Sequence, residues 1–548
     1  MAASSSSIPR GRINPEIGLI DEPELLPDGG GIRGYWSLLA VKKLMEYVAR
    51  SEENHGEPHL HSFQPEPLPH HVCHVPLADS ERDRQNQAHY EDDRIAALAP
   101  SKRYLPCHYF DYIGGSSTGG LIAIMLGRLR MTVPDCIHEY ETLGEAVFGK
   151  PRTIHQLRIP MVHRNKYDSN ALRKVFEDVV SRRAEVSLGG SPRFPSSGGM
   201  CRTMVTTLRS TKDKDGHSPD AKAFVIRSFS SPDSPIRRNT SSGPSRHNTG
   251  QSSASGNGSR RRQLKPLTKG GPAHDFEIWE VARAATAAPF YFDPIEIMTN
   301  GGTEANTFED GGFGGTPNNP TNYGIREIEQ KEGPKAIGVV VSVGTARGDR
   351  VMARHKDRID RKLKRMVNVM SDPDVEHKLA ENNREDKNYE YFRLNPGVDE
   401  ESHRLNVELD EWLPRRANRS GASGHRTIDA IKRSFSAWLE STEVQDYMMD
   451  CAQHLVDSRR RRLTDPDHLG QWARYAAGTE YRCREMRCSK PERSWSDRDE
   501  FAGHLQRDHH MQLDDETQRH ATLRWQYRAP GQSSVAKPSR LRNVLTGR

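Results

Sequence analysis

At 548 residues the chain is long enough for two or three domains, or for one large domain with insertions. Only 34% of its residues are hydrophobic and its mean hydropathy is −0.81, so a good part of it cannot pack into a core, and no apolar run approaches the ~20 residues that span a bilayer. Seven scattered cysteines exclude a disulfide framework and suit a reducing compartment, while residues 228–270 carry eight Lys/Arg against one acid, a surplus of seven that leaves the rest of the +6 chain near −1 and excludes a broadly basic folded face.

The opening Met1-Ala-Ala-Ser-Ser-Ser-Ser-Ile is polar and lacks a signal-peptide core, so the expected location is intracellular, cytoplasmic with peripheral membrane contact. Residues 1–20 read as disordered. Leu25-Leu26-Pro27 then leads into Asp28-Gly29-Gly30-Gly31-Ile32-Arg33-Gly34 and an amphipathic helix from Tyr35 through about Val48. Gly29 to Gly34 matches G-x-G-x-x-G, a weak signal shared with dinucleotide-binding folds. Those folds want a longer strand before the run and an acid at a strand end ~20 residues on; here residues 51–100 form a His-, Pro- and acid-rich insertion. The other use of such a run is to offer backbone N–H groups to an oxyanion.

Tyr109–Ile113 predicts a buried strand and Leu121–Leu126 the first turns of a buried helix. Between them, Gly115-Ser116-Ser117-Thr118-Gly119 is a G-x-S-x-G elbow, which holds a serine in a tight strand-to-helix turn with its hydroxyl exposed. Gly115 and Gly119 give the turn its room, and the helix dipole favours negative charge developing at Ser117. Val133-Pro134-Asp135 starts another helix, and Asp168-Ser169 caps one with apolar positions at Ala171, Leu172, Val175, Phe176 and Val179. Met204-Val205 and Ala223–Ile226 read as two strands. Residues 228–272 are low-complexity, a solvated loop inserted in the domain, whose Arg261-Arg262 run with Lys265 has a nuclear address or a phospho-regulated site as its alternative. An Ala-rich helix from Val281 to Ala288 ends at Pro289, and Ala336–Val343 reads as a buried strand. The alternation from Ile20 to Gly344 argues an α/β domain.

A serine hydroxyl needs a base within hydrogen-bond reach. Among 24 histidines, His355 is one candidate. The alternative is Asp310, at a strand end and followed by Gly311-Gly312, provided burial raises it from the ordinary ~3.9 toward the working range.

Asp28–Gly34, Gly115–Gly119 and Asp310-Gly311-Gly312, in that order, resemble the patatin-like phospholipase family. Tyr109-Phe-Asp-Tyr-Ile-Gly-Gly115, Ile278-Trp-Glu-Val-Ala-Arg-Ala284, Ala287-Ala288-Pro289 and Asn318-Asn319-Pro320 support the likeness, which covers roughly residues 24–345. The resemblance implies a three-layer α/β/α fold, a Ser-Asp dyad without histidine, hydrolysis of acyl esters in lipids, and no metal at the active site. Carried onto this sequence it makes Ser117 the nucleophile and Asp310 the general base. The N–H groups of Gly29, Gly30 and Gly31 become the oxyanion hole, in a loop completed by Arg33 and Gly34, with Arg33 steadying that loop or a nearby phosphate. Two features depart from the pattern. Pro27 directly precedes Asp28, so the oxyanion loop is expected to be anchored differently, because proline cannot donate to a central ladder. The spacer Phe313–Pro317 before Asn318 is long.

From 346 to 480 the chain reads as a charged helical region, with runs at Asp357–Arg365 and Arg459–Arg462 taken as solvated helix faces rather than membrane contacts. Residues 481–512 are expected to be a small zinc-finger-like module. Cys483, Cys488, His504 and His509, at spacings of four, fifteen and four, suit a tetrahedral structural zinc, with His510 as the alternative last ligand. Trp495 and Phe501 would form its core, and Ser496 with Asp499 its helix cap. The segment is similar to two-cysteine, two-histidine fingers but has a longer middle spacer than the ~12 residues usual there. Tyr481–His510 carry seven Lys/Arg against six Asp/Glu, which argues a protein partner or a stabilising role over nucleic acid. Residues 513–548 read as a polar tail. The leading expectation is a lipid acyl hydrolase meeting its substrate at a membrane or lipid-droplet surface. A transacylase and a catalytically weak binding scaffold that works through the finger are the alternatives.

Overall fold

The structure, a computed structural model, describes residues 22–55, 104–152, 165–183, 192–196, 201–211, 221–232, 269–299, 304–313, 318–348, 373–397, 404–413 and 426–464, and in the C-terminal part 479–483, 485, 488, 494–495, 503–511 and 522–524. The expectations for residues 1–20, for most of the 51–100 and 228–272 insertions, for His355, for Asp357–Arg365, for the spacer after Phe313, for Ser496, Asp499, Phe501 and the side chain of Trp495, and for most of the tail lie outside the described residues.

An eight-stranded mixed sheet organises the chain. Its strands are β1 (Glu22–Pro27), β2 (Tyr112–Ser116), β3 (Arg202–Thr211), β4 (Lys222–Arg227), β5 (Ile295–Thr299), β6 (Glu304–Asp310), β7 (Ile337–Val343) and, after the small strand β8 (Arg347–Gly348), β9 (Glu390–Leu394). The order β3-β2-β1-β7-β9 is parallel throughout, with β1 at the centre. β4 and β6 pair antiparallel with β3, and β5 with β6. Central parallel strands are covered on both faces and therefore read as near-continuous apolar runs, as Ile337–Val343 does. Leu25 and Leu26 alternate between the two faces and are both fully buried.

The helices are α1 (Gly34–Asn54), α2 (Pro106–Tyr109), α3 (Thr118–Ala123), α4 (Val133–Val147), α5 (Ser169–Arg183), α6 (Ile278–Thr286), α7 (Thr321–Glu332), α8 (Pro373–Lys387), α9 (Arg426–Leu439) and α10 (Thr442–Thr464). On one face α1, α3, α4, α6, α9 and α10 share a large core through Trp36, Ile122, Val281, Phe435 and Leu455. On the other, Ile325 and Ile328 of α7 and Ala380 of α8 pack with Tyr112 and Val340. The result is a central sheet between two helical layers. Among the described residues no helix is long and apolar enough to cross a membrane.

Three expectations change. Tyr109–Ile113 is not all strand: Pro106 sets a short helical turn over Pro106–Tyr109, and β2 starts at Tyr112. The charged region after 346 is not only helical, since β9 adds a parallel strand beside β7. Nor is Arg459–Arg462 a solvated face. Arg459 is fully buried against the equally buried Glu52 of α1, Arg460 joins the same carboxylate at 2.6 Å, and Arg462 pairs with Asp111 beside β2. The run clamps α10 to the front of the sheet because α1 and β2 place acids where the arginines land.

Candidate active site

The site arises from the way β2 and β6 share one edge of β3. β4 occupies the other edge along Met204–Arg209, so β2 and β6 must lie end to end. β2 runs parallel to β3 and finishes with Ser116 opposite Thr206; β6 runs antiparallel and finishes with Asp310 opposite Thr207. The two strand ends therefore meet, one residue short of Ser117 on one side and at Asp310 on the other.

Ser117 has φ 52° and ψ −125°, a sparsely populated conformation for a residue with a side chain. The elbow tolerates it because its flanking glycines are forced. A Cβ at Gly115 would lie 2.0 Å from Gly119 O, and one at Gly119 would lie 2.3 Å from Pro27 O. Ser117 Oγ donates to Asp310 Oδ2 at 2.5 Å, and the Gly312 N–H donates to Asp310 Oδ1 at 2.9 Å. Gly311 and Gly312 begin the turn that returns this N–H to the carboxylate. Asp310 is 1% exposed. Burial pushes its carboxyl up to about 7, against the smaller opposing pull of the Ser117 hydroxyl and the Gly312 N–H.

The glycine loop closes on the same spot. A Cβ at Gly29 would lie 2.8 Å from Ser117 Cβ, so the early loop, the elbow and Asp310 converge. Pro27 is the last residue of β1, where its missing N–H costs nothing, and the ladder continues through Asp28 N to Val343 O at 2.8 Å. Gly29 departs from its expected role: its N–H donates to Asn318 O at 3.0 Å, and Asn318 Nδ2 returns a bond to Gly29 O at 2.5 Å. Gly30 N faces Thr118 Oγ1 at a long 3.3 Å. Gly31 has φ +56°, its carbonyl accepts from Tyr140 Oη at 2.6 Å, and a Cβ there would lie 1.9 Å from Leu409 O. Gly34 opens α1 beside the same Tyr140 hydroxyl. Arg33 is half-buried, its Nε has no hydrogen-bond partner among the described residues, and burial lowers the guanidinium to about 10.

A cavity of about 460 Å³ opens on Ser117 and Asp310. Leu121, Leu143, Val147, Phe148, Leu172 and Phe292 give it an apolar wall; Arg33, Arg347, Asp374, Asn395, Arg404 and Asp410 add polar groups. Among the described residues no histidine lines it. Several contributors escaped the sequence reading. Leu409 O holds the Ile32 N–H at 2.7 Å, and Asp410 is anchored by Lys166 and by Tyr167 Oη at 3.0 Å. Arg393 on β9 grips Asp28 through a two-pronged ion pair. The short β-prone run Glu390–Leu394 was the available signal for that strand.

Far along the chain, Cys483, Cys488, His504 and His509 form the expected cluster, their ligand atoms all within 4.8 Å of one another. Cys483 Sγ lies 3.3 Å from His509 Nε2, and Cys488 Sγ 3.5 Å from His504 Nε2. Zinc with Zn–S near 2.3 Å and Zn–N near 2.0–2.1 Å has tetrahedral S···N edges of about 3.5 Å, so these two edges and the donor types suit that ion. His504 Nδ1 meets Asp508 Oδ2 at 2.7 Å, the outer partner that orients a ligating imidazole. The alternative ligand His510 is exposed in a left-handed turn and stands outside the cluster.

The patatin-like phospholipase family model matches residues 95–324. Similar curated proteins include calcium-independent phospholipase A2-gamma of Mus musculus, 24% identical over 327 residues, or 59% of this chain and 35% of that protein. The same-named Homo sapiens protein is 25% identical over 309 residues, 56% of this chain and 32% of its own length. Phospholipase A I of Arabidopsis thaliana is 24% identical over 330 residues, 56% of this chain and 23% of its own. The matched part thus spans about a third or less of these relatives. The chain carries a patatin-like phospholipase domain, matched over residues 95–324.

Proposed function

We propose that the protein is a lipid acyl hydrolase that cleaves carboxylic esters of phospholipids or related lipids through Ser117 and Asp310. The observation that carries the reading is the 2.5 Å hydrogen bond from Ser117 Oγ to a buried carboxylate, at the floor of a largely apolar cavity. Ionised Asp310 takes the hydroxyl proton as Ser117 Oγ attacks the ester carbonyl, and the tetrahedral oxyanion is held by backbone N–H groups of the glycine loop. Gly30 and Gly31 are the donors we assign: the Gly29 N–H is held by the Asn318 carbonyl at 3.0 Å, whereas the Gly30 N–H makes only a long 3.3 Å bond to the Thr118 hydroxyl, which an oxyanion would displace. The proton then passes from Asp310 to the leaving alkoxide, leaving an acyl-serine. Water, deprotonated by Asp310, attacks that ester and releases the fatty acid, and the proton returns to Ser117 Oγ. The apolar wall takes the acyl chain, and Arg33, whose Nε has no hydrogen-bond partner among the described residues, takes a phosphate or steadies the loop. Lipids of this class sit in membrane or droplet surfaces, so the enzyme meets its substrate there.

We propose further that Cys483, Cys488, His504 and His509 hold a structural zinc, which would stabilise the C-terminal module and supply no step of the hydrolysis. The test of the hydrolase reading is Ser117→Ala, which removes one hydroxyl from a preformed elbow. Hydrolysis of a nitrophenyl ester and of a phospholipid, galactolipid and triacylglycerol panel should vanish together with fluorophosphonate labelling, in a protein that stays folded. Turnover retained by that variant would sink the assignment.

A further inference from the structure

We infer that Arg393 is a positioning residue for the reaction: by fixing Asp28 it holds the glycine loop in the conformation that receives the oxyanion. The inference rests on the Ser117–Asp310 reading and goes beyond it, to a residue that lies outside the matched span. Arg393 Nη1 donates to Asp28 Oδ1 at 2.9 Å and Nη2 to Asp28 Oδ2 at 2.5 Å, a bidentate fork with both side chains under a tenth exposed. Asp28 directly precedes Gly29, where an added Cβ would lie 2.8 Å from Ser117 Cβ, so this backbone runs close beside the serine. A rotation of the Asp28 backbone therefore moves the Gly30 and Gly31 N–H groups that follow it relative to the serine.

The fork is itself held on every side. Arg393 Nη1 also donates to Ser342 Oγ at 2.8 Å, and the Arg393 backbone N–H donates to Tyr447 Oη at 2.9 Å. Ser342 Oγ lies 2.7 Å from Thr321 Oγ1, which bonds Asn319 Oδ1 at 2.5 Å. Asn319 follows Asn318, and Asn318 binds both polar groups of the Gly29 backbone. With the peptide links Asp28–Gly29 and Asn318–Asn319, the bonds close into a ring running from Arg393 through Asp28, Gly29, Asn318, Asn319, Thr321 and Ser342 back to Arg393. A ring of this kind fixes a flexible three-glycine run without placing any side chain in the oxyanion's way. Arg393 touches no reacting atom, and its effect travels through Asp28.

The experiment uses the full chain carrying Arg393→Lys, Arg393→Met, Asp28→Asn or Ser117→Ala. Arg393→Met strips a buried carboxylate of its partner and risks the fold, whereas Arg393→Lys keeps the charge and loses the planar fork. Each folded variant is assayed for kcat and KM on nitrophenyl butyrate, for inhibition by an alkyl trifluoromethyl ketone, which forms an oxyanion adduct, and for binding of a non-hydrolysable diether phospholipid in micelles. Arg393→Lys should lower kcat by about 10²-fold, the scale of one lost oxyanion donor. It should weaken the ketone by the same factor and leave diether binding within about three-fold. Asp28→Asn should match it, and the double variant Arg393→Lys with Asp28→Asn should be no worse than either single. A wild-type kcat in Arg393→Lys overturns the inference, as does equal weakening of ketone and diether. Activity retained by Ser117→Ala would instead remove the hydrolase reading beneath it, so the two failures are told apart.

Discussion

Asp310→Asn should cut hydrolysis by orders of magnitude and at the same time stabilise the fold, by an amount that grows with pH. The carboxylate is 1% exposed and its own partners are one hydroxyl and one backbone N–H, with no cation among the groups that shift it. Burial lifts it to about 7. The distance from an ordinary aspartate near 3.9 corresponds to a penalty of roughly 4 kcal/mol on the charged form. Because the folded value lies above the unfolded one, the folded protein holds the proton more tightly. Stability that is whole below ~3.9 is lost as pH climbs through about 7. The amide variant stays neutral and can keep both hydrogen bonds, since the Ser117 hydroxyl can accept as well as donate. Urea denaturation should therefore show the variant's advantage widening by roughly 2–3 kcal/mol between pH 5 and 8, then levelling. In the wild type, kcat/KM should rise about ten-fold from pH 6 to pH 8 as the base ionises, and the variant should fall by about 10²–10⁴. A stability gap that does not change with pH, or a rate with no inflection in that range, would show that the carboxylate is not buried and basic as argued.

Gly31→Ala should cost at least about 10² in kcat on a nitrophenyl ester while circular dichroism stays native, because its Cβ would meet Leu409 O at 1.9 Å and force the oxyanion loop to move. Glu52→Gln leaves Arg459 buried without its counter-charge and should cost about 3–5 kcal/mol in urea denaturation; a neutral outcome would mean that α10 is not held by this pair. Metal analysis of protein purified without chelator should find about one zinc per chain, lost in Cys488→Ser with ester hydrolysis unchanged. Zinc retained by that variant would exclude the cluster as its site.

The elbow and the aspartate were legible in the sequence because each carries a local backbone demand. Gly115 and Gly119 stand where any side chain would strike backbone, and Gly312 returns its N–H to Asp310 two residues back, so the residue types were fixed by short-range geometry. What was not legible is what joins them. That Ser116 and Asp310 finish on neighbouring residues of β3 depends on strand pairing across about a hundred residues each way, which no local pattern encodes. The fate of Gly29 depends on Asn318 in the same way. The arginines at 459 to 462 misled for the opposite reason, and Arg393 went unread. Charge alone predicts exposure, and only the fold supplies Asp28, Glu52 and Asp111 to pair with them.

These pairings bear on where the folding unit ends. We propose that it runs to about residue 464 rather than 345. The central strand β1 needs β7 beside it, and β7 in turn is covered by β9, so a chain cut at 345 would bare a long parallel edge. The same cut would leave Asp28 and Glu52 buried without their arginines, each a penalty of a size that a marginally stable domain cannot absorb. The low-complexity insertion after β4 makes the opposite case. Ser231 and Gly271 exchange backbone bonds at 2.8 and 2.7 Å, so that segment leaves and rejoins the domain at one point. Loop-closure cost grows only with the logarithm of length, so a long polar insertion there is tolerable where the loss of two short charged segments is not.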